Sequence, residues 1–208
     1  MGMTPFPFEN PTMSNRTLLV AALALASTTA FADPVTYGLD PAHTNVVASW
    51  NHLGFSHPVM HFGDADGTLV YDADDVGASS VTVTLPLSGM DGHVDAFNEH
   101  LRSAELFDAA KHPEITFTST RVEAAGGDRL KITGDLTIKG ITRPVVLDAT
   151  LNGRGEHPMA GREAIGFDAT TIVKRSEFGL GYAVPAVSDE VVLRITTEGL
   201  VAEAWPQG

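Results

Sequence analysis

Four histidines lie within 19 residues of one another, at His43, His52, His57 and His61. Imidazole is a common ligand of zinc and copper, so a group of this kind suits a metal site. Pro58 stands between His57 and His61, which therefore cannot share one face of a regular helix. His43 and His52 fall near opposite ends of one predicted strand, too far apart to bind the same ion. The spacing leaves two hypotheses open, a metal site and hydrogen-bonded histidines of loops and strand ends.

The sequence contains none of the short motifs that mark common catalytic or nucleotide-binding sites. There is no nucleophile elbow, P-loop, dinucleotide fingerprint or zincin helix. The carboxylates fall mostly in turns or at outward strand positions, where they indicate a solvated acidic surface. Inferences about the function must therefore come from the predicted strands and helix and from the side chains that they bring together.

The chain is strongly acidic and has no cysteine. It has 208 residues, with 26 acids against 13 bases and a formal net charge of −13. A surface of this sign repels nucleic acid and anionic membranes. Without disulfides, the apolar core alone must stabilise the fold.

The N-terminal segment has the pattern of a secretory signal peptide. Residues 18–26 form an uncharged apolar run that is too short to span a membrane, and Ala-Phe-Ala follows at residues 30–32. We expect cleavage after Ala32 and a mature domain over residues 33–208 in the periplasm. Translation starts at Met1 or at Met13, and Met13 gives the basic n-region MSNR that export signals normally carry.

Apolar and polar residues alternate through most of the chain. In GDLTIKGITRPVVLDATL, residues 134–151, Leu136 and Ile138 share one face, and Val145 and Leu147 continue the apolar row. This period of two predicts strands with one buried and one solvated face. Eight or nine such strands are expected, and their polar outer faces favour antiparallel pairing. The fold class is therefore all-β, as a barrel or a sandwich, and the apolar row faces either a solid core or a hollow.

One segment has helical spacing instead. Val94, Phe97, Leu101 and Ala104 predict an amphipathic helix over residues 94–107, capped by Asp91 or Asp95. A second, shorter helix is predicted at residues 52–56. The longer helix either closes a barrel mouth or covers a sheet edge.

Six segments together resemble the YceI-like family of bacterial periplasmic proteins. They are YGLDPAHTNVVASWNHLGFSH, GDADGTLVYD, HVDAFNEHLRSAELFDAAKHPEITFTST, DLTIKGITRPVVL, RSEFGLG and DEVVLRITTEG. The resemblance runs from about Tyr37 to Ala204. The resemblance implies a lipocalin-like, eight-stranded antiparallel β-barrel with a helical segment near its opening. It also implies an apolar tunnel that holds a long isoprenoid or amphiphilic lipid, such as a quinone precursor or a fatty amide. Dimers and a role in envelope stress are further implications.

The resemblance suggests ligand-binding residues along such a tunnel. The candidates are Trp50, His52, Leu53, Phe55, Phe97, Leu101, Phe107, Phe117, Leu136, Ile138, Val145 and Phe167. Among these, His52 matches a histidine that recurs in the family, and we interpret it as a polar group near the mouth. Tyr182, Ala183 and Val184 replace a more polar loop of many relatives, so the shape of that wall is expected to differ.

The prediction is a carrier that is not an enzyme and that needs no cofactor, with an isoprenoid, quinone-type or fatty amphiphile as its ligand. Nucleic acids are not expected as partners. The resemblance implies that a homodimer can form, and the sequence leaves the oligomeric state open. Two rival functions remain open. One is a metal-binding protein that uses the histidines from His43 to His61. The other is an enzyme acting on isoprenoid or quinone head groups, for which His52 and Asp64 are the candidate parts.

Overall fold

A computed structural model describes residues 1–3 and 33–202. The predicted signal segment lies almost wholly outside these described residues. From the N-terminus of the domain the elements are β1 (Val35–Leu39), β2 (Asn45–His52), β3 (Val59–Phe62), β4 (Asp66–Tyr71), β5 (Ser80–Pro86), β6 (Met90–Asp91), α1 (Asp95–Arg102), β7 (Glu114–Ala124), β8 (Arg129–Ile138), β9 (Ile141–Glu156), β10 (Glu163–Lys174) and β11 (Val187–Val201). Short 3₁₀ turns lie at Val76–Ala78, Leu87–Gly89 and Arg175–Phe178. No helix among the described residues has the length and apolarity that crossing a bilayer requires.

The strands form a closed antiparallel barrel of eight members. Hydrogen bonds run in the order β1, β4, β5, β7, β8, β9, β10, β11, and β11 then pairs with β1 to close the ring. The remaining strands continue this wall, because β2 also pairs with β11, β3 pairs with β2, and β6 pairs with β3. The expected lipocalin-like barrel is thus confirmed and the sandwich is excluded.

Three sides of the barrel are each built from two strand segments. β1 and β2 lie along the same edge of β11, β3 and β4 follow one another beside them, and β5 and β6 follow next. A short break separates the two segments of each side. Asp64, with φ of 55°, lies in one of these breaks. The eight or nine predicted strands therefore appear as eleven segments around eight positions.

The period of two in the sequence places one row of each strand inside the barrel. On β8 the residues Leu130, Ile132, Leu136 and Ile138 are all buried, and the residues between them are more exposed. Gly134 interrupts this row for a steric reason. A Cβ at Gly134 would lie 2.4 Å from the ring of Phe117, so only glycine leaves room for that ring.

The helical predictions were only partly correct. α1 ends at Arg102 and not at Phe107, because Ser103 leaves the helix with ψ of 163°. Val94 is the N-cap and uses no side chain, whereas Asp91 accepts a bond from the backbone amide of His93 at 2.7 Å. The expected caps at Asp91 and Asp95 were therefore wrong.

Residues 52–56 form a tight turn and not a helix. The amide of His52 donates to the carbonyl of Ser56 at 2.8 Å, and Leu53 and Gly54 have φ of 56° and 79°. These left-handed conformations reverse the chain between β2 and β3, which a right-handed helical turn would not do.

Candidate functional site

The barrel encloses two adjoining apolar chambers. The outer chamber, of about 690 Å³, lies at the end of the barrel where α1 is located. The inner chamber, of about 140 Å³, lies deeper between the strands. Ile115, Ile138 and Leu193 line both chambers, so the two chambers adjoin at these residues. We call these three residues the neck.

The outer chamber is built from elements that are distant in the sequence. Trp50 on β2 faces Phe97 on α1, with ring centroids 6.1 Å apart. α1 is held over this end because Arg102 donates to the carbonyl of Met90 at 2.8 Å and Asn98 accepts from the amide of Gly92 at 2.6 Å. The segment from Arg175 to Val187 forms the opposite wall. Val59 and Tyr182, which are 38% and 50% exposed, lie where the chamber meets solvent.

The inner chamber is lined by the inward rows of the long strands. Its wall includes Leu136 of β8 and Val145, Leu147 and Ala149 of β9. The apolar row in residues 134–151 therefore faces a hollow space. Thr44, Thr171 and Thr197 also line this chamber, and the hydroxyls of Thr44 and Thr197 form a hydrogen bond of 2.8 Å with each other.

Ten of the twelve candidate ligand-binding residues lie on these walls. The outer chamber contains Trp50, His52, Phe97, Leu101 and Phe107, the inner chamber contains Phe117, Leu136, Val145 and Phe167, and Ile138 is in the neck.

Leu53 and Phe55 line neither chamber, because the turn after β2 projects them outward. They are 50% and 90% exposed, and including them among the tunnel residues was a misplacement.

Arg175 is a wall residue that the sequence analysis missed. Its guanidinium donates to the carbonyls of Leu180, Tyr182, Val187 and Ser188, at 2.8 Å for Tyr182 and Ser188 and 2.9 Å for Val187. Burial lowers the pKa of Arg175 from its usual value, and the charge of Asp189 opposes this shift. One side chain thus holds the whole loop that forms the outer wall. Two bases, Lys174 and Arg175, precede the uncharged stretch FGLGYAVPAVS, and the sequence does not distinguish the one that becomes buried.

Aromatic and imidazole rings surround the opening of the outer chamber. His52, His93, His100 and Tyr182 come from different elements and all line it. The rings of His100 and Tyr182 are 5.4 Å apart in an edge arrangement, and His100 contacts Glu105 at 3.0 Å. Polar groups therefore gather at the mouth, whereas the depth of the space is apolar.

The histidines of the first motif do not form a shared site. His43 pairs with Asp40 at 2.8 Å, and this hydrogen bond raises the pKa of the imidazole. His57 contacts Asn51 at 3.4 Å, and His61 contacts Asn45 at 3.1 Å. Over the described residues, no three His, Asp or Glu side chains are grouped as metal ligands.

The proposed enzymatic pair is also not assembled. His52 lines the outer chamber, whereas Asp64 lines neither chamber.

The end of the barrel opposite the mouth is closed by a polar pair. Tyr37 of β1 is fully buried and donates from its hydroxyl to Glu163 of β10 at 2.7 Å. Arg154 of β9 contacts the same carboxylate at 3.2 Å and lies over the ring of Tyr71. Burial raises the pKa of the Tyr37 phenol, which stays protonated as the donor.

Sequence comparison identifies the family. A model described as "YceI-like domain" matches residues 37–199. The chain belongs to the YceI-like family. Protein YceI of Escherichia coli O6:H1 is 38% identical over 183 residues, which cover 88% of this chain and 95% of that protein. Protein YceI of Salmonella arizonae is 39% identical over 179 residues, covering 85% and 93%.

Solved structures of other bacterial proteins share the barrel. BcnA of Burkholderia cenocepacia matches with a TM-score of 0.70 and 25% identity, covering 77% of this chain and 98% of its own. The Campylobacter jejuni YCEI protein matches with a TM-score of 0.67 and 29% identity, covering 74% and 90%. A polyisoprenoid binding domain from Saccharophagus degradans matches with a TM-score of 0.60 at 15% identity, covering 81% and 99%, a likeness of fold alone.

The closed end gives a direct test of how this YceI-like barrel is stabilised. Tyr37→Phe removes the hydroxyl that donates to Glu163 and leaves the buried ring in place. We expect the free energy of unfolding in urea to fall by about 2 kcal/mol, as for a bond to a charged acceptor. Tyr71→Phe is the matched control, because it keeps the ring beneath Arg154. Equal stability of Tyr37→Phe and the wild type would contradict the assigned bond.

Proposed function

We propose that this protein is a periplasmic binding protein that carries a long isoprenoid or other amphiphilic lipid in its two chambers. The observation that carries the proposal is the apolar lining of the outer chamber and of the inner chamber that adjoins it at the neck. Each CH₂ group that leaves water for such a space contributes about 0.8 kcal/mol. A chain with roughly a dozen buried carbons can therefore bind at submicromolar concentration after the entropy of ordering is subtracted.

The distribution of polar groups supports an amphiphile over a plain hydrocarbon. His52, His93, His100 and Tyr182 lie on the outer chamber, and its far end leads into the apolar inner chamber. A head group at the mouth would keep hydrogen bonds while the tail extends past the neck. Quinone precursors and fatty amides are members of this ligand class.

Two further observations support the proposal. The signal pattern in residues 18–32 is that of an exported protein. The Saccharophagus degradans domain with the same fold is described as polyisoprenoid binding. That second likeness is distant, so the chambers of this chain carry more weight. Binding and not catalysis is the proposed activity.

The decisive experiment is native mass spectrometry of the untagged protein purified from periplasm, followed by solvent extraction. We expect one discrete added mass that the solvent releases as a lipid. A protein that is bare and takes up no added isoprenoid quinone or fatty amide would overturn the proposal.

The same preparation tests the metal-binding hypothesis and the homodimer. Stoichiometric zinc or copper, lost in His57→Ala, would favour the metal-binding function instead. Light scattering on the loaded and the extracted protein tests the expected homodimer.

Binding can be followed through Trp50, which lines the outer chamber. The chain has two tryptophans, so Trp205→Phe leaves Trp50 as the single reporter. We expect its emission to shift to shorter wavelength when a lipid displaces water from the chamber. No change on titration, under conditions in which mass spectrometry detects the complex, would mean that the lipid lies away from Trp50.

A further inference from the structure

Large apolar side chains project into solvent around the opening of the outer chamber. Phe55 is 90% exposed, Val94 is 59% exposed, Leu53 and Tyr182 are each 50% exposed, and Val59 is 38% exposed. We call these five residues the apolar rim. A single exposed apolar residue needs no explanation, but a group gathered at one opening does.

The contacts of the rim show that it surrounds one opening. Val59 and Tyr182 line the outer chamber themselves. The amide of Leu53 donates to the carbonyl of Ala186 at 3.2 Å, which ties the turn of residues 52–56 to the wall held by Arg175. Phe55 belongs to that same turn. Val94 follows His93, another residue of the chamber wall.

The rim also lies in the uncharged part of an acidic chain. Residues 41–63 and residues 178–188 contain no Asp, Glu, Lys or Arg, although the chain has 26 acids and 13 bases. These two segments carry Leu53, Phe55, Val59 and Tyr182. The fifth rim residue, Val94, lies in a charged segment instead, which contains Asp91, Asp95, Glu99 and Glu105, and the guanidinium of Arg175 is used by the carbonyls of the outer wall. An uncharged apolar face of this kind suits a neutral surface and not a charged partner.

The chemistry of the cargo indicates what that surface is. A long lipid is stored in bilayers and crosses water only at a cost that grows with each CH₂ group. An apolar rim that continues into a lipid chamber would let the chain move without that exposure. Aromatic and aliphatic side chains of this type also insert readily at the bilayer interface.

We propose that the apolar rim docks the mouth of the barrel on a neutral phospholipid bilayer, with Phe55 inserted among the lipids. A second copy of this chain is the less favoured occupant, since each copy carries a net charge of −13 and the two would repel. The docking explains why Leu53 and Phe55 are apolar although they line neither chamber. The choice of a bilayer and the passage of cargo through this contact rest on the proposed function, whereas the exposed, uncharged character of the rim does not.

Flotation of the mature protein with phosphatidylcholine vesicles tests the docking. We expect the wild type to float with the vesicles and Phe55→Ser to reduce the bound fraction by roughly tenfold. Vesicles rich in phosphatidylglycerol should bind less at low salt, because they repel the acidic body of the protein.

Met159 provides the matched control. It is 91% exposed in the turn between β9 and β10, at the opposite end of the barrel from the mouth. We expect Met159→Ser to float like the wild type. A wild type that does not float, or equal losses in Phe55→Ser and Met159→Ser, would overturn the proposal. So would a wild-type dimer that Phe55→Ser converts to a monomer without any vesicle binding.

The same samples separate this proposal from the carrier function. Protein that contains a lipid but does not float would contradict the docking alone. Protein that floats but neither contains nor takes up lipid would contradict the carrier function alone. If both hold, transfer of lipid between two vesicle populations should slow about tenfold in Phe55→Ser, with no change in the equilibrium affinity for the lipid.

Discussion

Ala169→Phe is expected to shorten the lipid chain that the protein can hold. Ala169 lines the inner chamber, in register with Ala149 and Ile195 on the two neighbouring strands. A phenyl group there enters empty space and fills much of the 140 Å³ chamber. If about four CH₂ groups are thereby excluded, the affinity for long chains falls by about 3 kcal/mol, or roughly 100-fold. Short chains that end before the neck should bind as in the wild type.

The measurement is a series of dissociation constants for one head group with increasing chain length, read from Trp50 emission in the Trp205→Phe background. The wild-type affinity should rise further along the series than that of Ala169→Phe. Thr170→Phe is the control, because it adds the same ring on the exposed, outward row of β10. Equal affinity of the wild type and Ala169→Phe for the longest chains would show that the tail does not enter the inner chamber.

Periodicity predicted the rows of the barrel but not its hollow centre. The inward positions of Leu136, Ile138, Val145 and Leu147 follow from alternation, since every second side chain of a strand points to the same face. Whether that face meets packed side chains or a cavity depends on the diameter of the closed sheet. The sequence of a single strand does not determine this diameter. The barrel was predicted only through the resemblance to the YceI-like family, and the pairing of β1 with β11 confirms it.

The errors of prediction lie where tertiary contacts override local pattern. The helical spacing continues through Ala104, but the chain turns at Ser103, and Lys139 donates to the carbonyl of Ala104 at 3.1 Å. Phe107 is nevertheless buried. Its backbone amide donates a hydrogen bond to the carbonyl of Leu101 at 3.0 Å, which keeps the turn after α1 close to the helix. Leu53 and Phe55 were assigned to the tunnel through the resemblance to the YceI-like family. Their turn instead presents them to solvent.

Arg175 had no recognisable signal because its partners are backbone carbonyls. A carboxylate partner leaves a trace in the sequence, whereas a carbonyl belongs to every residue. Asp189 fixes the residue next to Arg175, because its carboxylate accepts hydrogen bonds from both the amide and the hydroxyl of Ser176 at 2.8 Å. The bond from the Ser176 amide contributes most to a pKa of Asp189 below its usual range.

Arg175→Met should therefore loosen the outer wall and weaken lipid binding together. Methionine keeps much of the apolar stem but removes the donors that serve Leu180, Tyr182, Val187 and Ser188. We expect the free energy of unfolding to fall by about 2 kcal/mol, because four carbonyls, three of them partly buried, lose a charged donor. We also expect the dissociation constant for the lipid to rise about tenfold, since an ordered wall must then be formed at binding.

Urea unfolding and amide hydrogen exchange over residues 179–188 measure the two effects. Lys174→Met is the matched control, because it removes a base from the adjacent, exposed position. Arg175→Lys should recover only part of the loss, since one ammonium group cannot reproduce the planar fork of a guanidinium across four carbonyls. If Arg175→Met and Lys174→Met behave alike, the loop is held by its own packing against Phe178 and Leu180. If exchange accelerates only in Arg175→Met while the affinity is unchanged, the wall is ordered by Arg175 but the lipid does not rest on it.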